Sequence, residues 1–318
     1  MKKNIFKCLV MILATIALSA TAMAQRSVPF RTFDIQPDVK SQSLGGTHLV
    51  SGSKNYIYAN PTYFFNADKR WSVYASGQIL PKFDGMTREF YGNASLGYRF
   101  SEQHALFLGG RYLRGGELEV LSDIGNETQK HIRTNQYTLD LGYAYALNDQ
   151  WKGFVTASML ADNTIKANYS LFAGIGLSYS NVVALGSIDT NLEATLAAYN
   201  LGKVLNDDEA VSHRNLPSTI ALGGRARTEI ASMHTIGLSA QVGYVTPYPM
   251  VQAGVGLEYT YANFASVRTG FNHLEKDVNY ATIGLGLDIA SIVLDASYNI
   301  GLNEYTKNTI ALGLSLSF

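Results

Sequence analysis

The sequence predicts an all-β fold: a 14-stranded antiparallel transmembrane β-barrel with an N-terminal plug segment. Three observations carry that prediction. Stretches of about ten residues alternate strictly between apolar and small or polar side chains, a length that crosses a bilayer at a tilt. No apolar run after residue 24 approaches the roughly 20 residues that a membrane helix needs. The connections between the alternating stretches are themselves alternately short and long, the rule in membrane barrels and a pattern a soluble sandwich has no reason to show.

The alternation is clearest at the C-terminus. Ile310, Leu312, Leu314, Leu316 and Phe318 fall on one face, and Thr309, Ala311, Gly313, Ser315 and Ser317 on the other. A period of two is a strand with one apolar face. Ending such a strand on an aromatic residue is what outer-membrane barrels typically show.

Read from its start, the chain opens with Lys2, Lys3 and Lys7, an apolar core over residues 9–18, and the small-x-small cleavage site Ala22-Met23-Ala24. Residues 1–24 are therefore expected to be a secretory signal peptide, too short in its apolar core to span a membrane. Phe6-Lys7 before Cys8 argues against a lipoprotein signal. Cleavage would remove the single cysteine, leaving no thiol, disulfide or cysteine-ligated metal. It would also remove three of the 25 basic residues and no acidic one, giving 22 against 25. No basic patch or stripe suggests a nucleic-acid partner.

Residues 25–70 do not alternate. They contain Pro29, Pro37 and Pro61, the turn-like Gly45-Gly46 and a short helix expected near residues 56–60. This is the segment expected to precede the barrel and to sit partly inside it. From Trp71 to Phe318 the strands are expected at 71–80, 91–100, 104–114, 137–146, 151–160, 169–179, 192–199, 219–227, 235–244, 251–259, 264–271, 281–289, 292–300 and 309–318. Fourteen is an even number, as single-chain bacterial barrels have. Residues 101–103, 147–150 and 290–291 make short turns, and 115–135, 200–216 and 301–308 make long extracellular joins. The stretches 181–191 and 245–249 break that rule.

Charge distinguishes the faces. The positions assigned inward carry Arg99, Arg111, Arg225, Arg227 and Arg268 against Asp140, Glu193, Glu258, Asp288 and Asp295, five of each sign. Few charges fall on the outward face, where a midplane Arg or Lys would cost about 2–4 kcal/mol. Tyr98, Tyr137, Tyr179, Tyr244 and Tyr259 lie near strand ends, as in an interfacial girdle.

No catalytic or metal-binding constellation is evident. His48, His104, His131, His213, His234 and His273 form no pair at metal-ligand spacing on one element. Gly174-Ile175-Gly176, Gly254-Val255-Gly256 and Gly284-Leu285-Gly286 lie inside strands and lead into no helix, so they are not phosphate loops. Small inward residues there leave room in the lumen or let a backbone come close. No cofactor is expected. Asn60-Pro61 reads either as a stop before the first strand or as a fixed joint holding the plug segment.

The order Ser43-Leu44-Gly45-Gly46-Thr47, a gap, then Tyr58-Ala59-Asn60-Pro61 resembles the N-terminal region of FadL-like outer-membrane barrels, in particular their PorV/PorQ branch. Tyr199-Asn200-Leu201-Gly202, Leu216-Pro217 leading into 220–224, and the terminal strand match further. Gly52-Ser53-Lys54-Asn55 stands where that family often has paired acids, and Thr62 follows Asn-Pro in place of the usual alanine. The resemblance implies a fourteen-stranded barrel with an N-terminal hatch. It also implies a non-enzymatic role in type IX protein secretion or in uptake of hydrophobic compounds, with outer-membrane lipid, secretion-system proteins or hydrophobic small molecules as partners.

A general diffusion porin and a lipid-modifying barrel enzyme are the alternatives. The balanced inner charges and the 46-residue segment (25–70) disfavour the first. The missing constellation disfavours the second. Leu44, Gly45, Gly46, Leu49, Tyr56, Tyr58, Asn60 and Pro61 are the residues expected to form the plug, with Leu49, Val50, Tyr56, Ile57 and Tyr58 packing on the glycine-rich inner faces of strands such as 251–259 and 281–289. A segment hanging free in the periplasm is the alternative.

Overall fold

The computed structural model describes residues 30–82, 87–121, 127–164, 167–185, 188–205, 215–230, 233–246, 250–275, 278–303 and 306–318. The expected signal peptide, residues 1–24, lies outside the described residues.

The alternating stretches form fourteen strands: β1 (Trp71–Ile79), β2 (Phe90–Arg99), β3 (His104–Leu121), β4 (Glu127–Ala146), β5 (Trp151–Asp162), β6 (Asn168–Leu185), β7 (Ile188–Val204), β8 (Ser218–Ile230), β9 (His234–Thr246), β10 (Met250–Tyr261), β11 (Ala265–Glu275), β12 (Val278–Ile289), β13 (Ile292–Gly301) and β14 (Thr309–Ser317). Each pairs antiparallel with its neighbours in sequence, and β1 closes the ring on β14, with Ser72 opposite Ser317 and Ile79 opposite Ile310. Closure satisfies the backbone of every strand, the condition for sheet in a lipid environment.

The two faces follow the sequence pattern. Outward residues stay exposed although large and apolar: Leu312 is 62% exposed, Leu285 59% and Leu139 58%. A soluble sheet would bury them; a lipid-facing belt does not. At the short-turn end Trp71 stacks on Tyr98 at 4.2 Å, on the other side of Trp71 lies the terminal Phe318 ring at 6.4 Å, and Trp151 meets Tyr179 at 4.8 Å. These rings form the interfacial girdle expected of amphipathic aromatics.

Two connections differ from expectation. The stretch 115–135 is mostly strand, because β3 and β4 continue their ladder past a register shift between Arg114 and Glu117 that absorbs Gly115-Gly116. Glycine at a bulge breaks the sequence pattern without ending the pairing. The stretch 181–191 is likewise paired, Asn181 opposite Leu192 and Leu185 opposite Ile188, so the exception on the short side disappears.

The N-terminal residues are irregular by comparison. Short 3₁₀ turns cover Arg31–Asp34, His48–Val50 and Pro61–Asn66, and one short helix, α1, covers Val39–Ser43. Asp38 caps α1 by accepting from the Ser41 amide at 2.8 Å. Gly45 and Gly46 then take φ of +66° and +80°, and the Gly46 amide closes on Ser41 O at 2.8 Å. The helix expected near 56–60 is a single turn, with Ala59 N donating to Asn55 O. Asn60-Pro61 starts the next helical turn rather than ending one: Asn60 Oδ1 accepts from Thr62 N at 3.0 Å and Pro61 takes the first position.

This stretch runs through the barrel from one end to the other. Phe30 is buried with Leu160, Phe172 and Leu216 near the long-loop end. Tyr56, Ile57 and Phe64 are buried with Ala105, Phe107 and Ala144 near the short-turn end. The chain then enters β1.

Candidate functional site

The interior is built where an irregular backbone meets a polar wall. Residues outside helix and sheet leave amides and carbonyls that must find partners once buried. Here the wall supplies them. Gln136 Oε1 accepts from Thr32 N at 2.9 Å, and Asn93 Nδ2 donates to Pro37 O at 2.7 Å. Thr282 Oγ1 donates to Ser43 O at 3.0 Å, and Asn272 Nδ2 donates to Gly45 O at 2.8 Å. Gln241 Oε1 accepts from Leu49 N at 2.9 Å. Asn60, itself buried, donates from Nδ2 to Leu49 O at 2.8 Å and to Ser178 and Thr195 on β6 and β7.

Glycines on the wall let the backbone come close. Methyl groups at Gly254, Gly256, Gly270 or Gly284 would overlap Gly45, Leu44 or Ser43, and one at Gly45 would overlap the carbonyls of Val255 and Phe271. The glycine-rich faces of β10 and β12 thus receive residues 43–46. The expected partners of Leu49–Tyr58 are corrected: Leu49 and Val50 pack on Ala197, Ala221 and Gly223 of β7 and β8. Ile57 and Tyr58 pack on Gly109 and Gly142 of β3 and β4. The loop of chain after Gly46 carries these side chains to the opposite wall, which sequence spacing does not reveal.

The inward charges form two groups. In the larger, Arg225 pairs with Glu193 at 3.8 Å and Glu258 at 3.1 Å, and Arg268 with Glu258 at 2.8 Å and Asp295 at 2.5 Å. Gly286 gives room for this ladder to cross β12, since a methyl group there would overlap the Arg268 guanidinium. Lys40 of α1 reaches Glu258 at 3.0 Å, completing three bases against three acids. In the smaller group Arg111 binds Asp140 at 2.8 Å, and Tyr58 Oη donates to the same carboxylate at 2.8 Å. Lys54 pairs with Asp288 at 3.2 Å, and Arg99 Nη1 donates to Phe65 O at 3.4 Å. Arg227 forms no ion pair among the described residues but borders the lower cavity.

Burial shifts the ionisable groups of the N-terminal residues. It pushes Asp38 up from the ordinary carboxylate value, opposed by hydrogen bonds from Ser41 and Ser53. It pushes Lys40 down, opposed by Glu258. His48, buried beside Tyr199 and Gln241, is held down at about 4. Burial raises the Tyr58 hydroxyl, with Asp140 adding to it.

Among the described residues, one cavity borders this stretch toward the long-loop end and another toward the short-turn end. The upper, about 290 Å³, lies between aromatic residues Phe154, Phe172 and Tyr199 of β5–β7 and polar residues Gln78, Gln252, Asn272 and Thr282 on the opposite wall. The lower, about 770 Å³, opens toward the short-turn end and is bordered by the charge ladder, Lys54, Lys152 and Arg227. Sequence reading missed Lys40, Gln42, whose Nε2 donates to Gln78 Oε1 at 3.4 Å, Tyr63, whose Oη donates to Glu193 Oε2 at 2.5 Å, and the aromatic trio. Lys40 had one signal, a lone charge just after the capping residue Asp38. His131 belongs to β4 and His213 lies outside the described residues.

Fourteen antiparallel strands closed into a ring with a lipid-facing belt define a β-barrel of the outer-membrane class. The model of the type IX secretion system protein PorV family matches residues 21–251, and the chain belongs to that family. Solved structures are similar in fold. The Pseudomonas putida toluene transporter TodX aligns with a TM-score of 0.57 at 12% identity, covering 88% of this chain and 97% of that one. CymD, a monoaromatic hydrocarbon channel, aligns with 0.56 at 12% identity, covering 88% and 97%. At this identity the likeness is one of fold. No curated protein matches the chain significantly.

Proposed function

We propose that this chain is a plugged, non-enzymatic outer-membrane barrel that serves type IX protein secretion, with residues 25–70 as the plug and residues 1–24 removed on export. The observation that supports the reading is a run of wall contacts to residues 32–60. Wall side chains hold the stretch at Thr32, Pro37, Ser43, Gly45, Leu49 and Asn60, one contact after another along its length. A barrel so filled is unsuited to general diffusion, and membership of the PorV family favours secretion. Affinity purification from native outer membranes under mild detergent tests this. Secretion-system components should co-purify, and their consistent absence would count against the secretion role.

The second reading is handling of hydrophobic compounds. It is favoured by the aromatic side of the upper cavity, and structures of the same fold bear the names of a toluene transporter and a monoaromatic hydrocarbon channel. Planar-bilayer recording separates both readings from a porin, which would show a large, steady conductance.

A further inference from the structure

We propose that the upper cavity binds a small uncharged molecule that joins an apolar body to a hydrogen-bond donor, such as a hydroxyl or an amide N–H. The inference rests on the second reading above and sharpens its ligand class.

Size comes first. At about 290 Å³ the cavity sits at the small end of ligand pockets and suits a guest of one ring or a short chain. The β5–β7 side offers Phe154, Phe172 and Tyr199, a surface for an apolar body.

The opposite side is unfinished. Gln42 and Asn272 both border the cavity, and Gln42 Oε1 and Asn272 Oδ1 are buried carbonyl oxygens that accept no hydrogen bond among the described residues. Their amide orientations are fixed by the other end of each group. Asn272 Nδ2 donates to Gly45 O at 2.8 Å and Gln42 Nε2 to Gln78 Oε1 at 3.4 Å. A flipped amide would face oxygen with oxygen. What is missing on this side is donors, so a guest that brings one repairs it.

Charge selects further. Arg111 is matched by Asp140 at 2.8 Å, and Arg31 by Glu89 at 3.4 Å and Asp34 at 3.8 Å. His48 is neutral at ordinary pH, its Nδ1 at 3.1 Å from the Gln241 amide. Among the described residues lining the cavity, both arginines are already engaged by carboxylates, so an entering carboxylate would have to compete with Asp140 or with Asp34 and Glu89. Fatty acids and other anions are therefore disfavoured, and plain hydrocarbons leave both oxygens unpaired.

The test is ligand-observed NMR with the full-length barrel in detergent, micelles alone serving as the blank, and benzyl alcohol, toluene and benzoate as probes. Benzyl alcohol should bind at least about tenfold more tightly than either of the others. Gln42→Met, which keeps length and loses the carbonyl, should bring benzyl alcohol several-fold closer to toluene while the barrel keeps its heat-modifiable gel migration. Equal binding of toluene and benzyl alcohol would overturn the inference and leave the hydrophobic reading standing. Tightest binding by benzoate would overturn it as well. If none of the three binds, the cavity holds water only, and both fall.

Discussion

Lys40 and Arg268 meet the same carboxylate, yet their removal should not cost the same. Arg268 joins Glu258 to Asp295 deep in the wall. Removing one partner of a buried pair leaves the other charge uncompensated, at about 3–5 kcal/mol. Arg268→Leu should therefore lower the unfolding midpoint in denaturant severely. Lys40→Met should cost less, because Arg225 and Arg268 still hold Glu258, and should loosen α1 more than the barrel. His48 supplies a pH signature. Its value falls from 6.5 to about 4 on burial among Gly46, Gln241 and Tyr199. A histidine depressed in this way stabilises docking fully above about 6.5, and the contribution drains away as pH falls toward about 4. Leak of small solutes should rise over that window, and His48→Gln should flatten the rise. Asn60→Asp would set a carboxylate against Leu49 O, where the amide now donates at 2.8 Å. Loss of about 1–3 kcal/mol or more is expected from urea unfolding.

At the level of elements, the seam between residues 43–46 and strands β10–β12 is set by backbone contact. Gly45→Val would place side-chain atoms on the Val255 and Phe271 carbonyls at a φ of +66°, so the segment should undock while the strands still close. Limited proteolysis should then cut within residues 42–59 in the variant and spare the parent. Strands were readable because a two-residue period survives without tertiary information, as in 309–317. Their ends were not. β3, β4, β6 and β7 continue through Gly115-Gly116 and through Asn181, Asp189 and Asn191, residues that look like loops until a neighbouring strand pairs with them. The turns at Gly45, Gly46 and Asn60 were legible from turn chemistry. Gln42, Phe154 and Phe172 were not, because only closure of the ring brings β5 and β6 to face α1 across one cavity. The helix expected near 56–60 is cut to one turn because Asn60 caps the next turn, starting at Pro61.

The whole molecule joins a lipid-facing ring to interior residues supplied by the same chain. Wall amides and hydroxyls hold residues 32–60, and Lys40 ties Glu258 of the ladder to the same stretch, so the two parts are expected to fold as one unit. Export should yield a mature chain beginning at Gln25, read by intact mass. A retained Lys2–Lys7 start would contradict the expected cleavage. The central claim, that the N-terminal segment closes the barrel, is tested most directly by planar-bilayer conductance of the parent beside a variant lacking residues 42–59. The parent should be silent or nearly so, and the deletion variant should insert, keep heat-modifiable migration and pass a steady ionic current. A deletion variant as tight as the parent would contradict it.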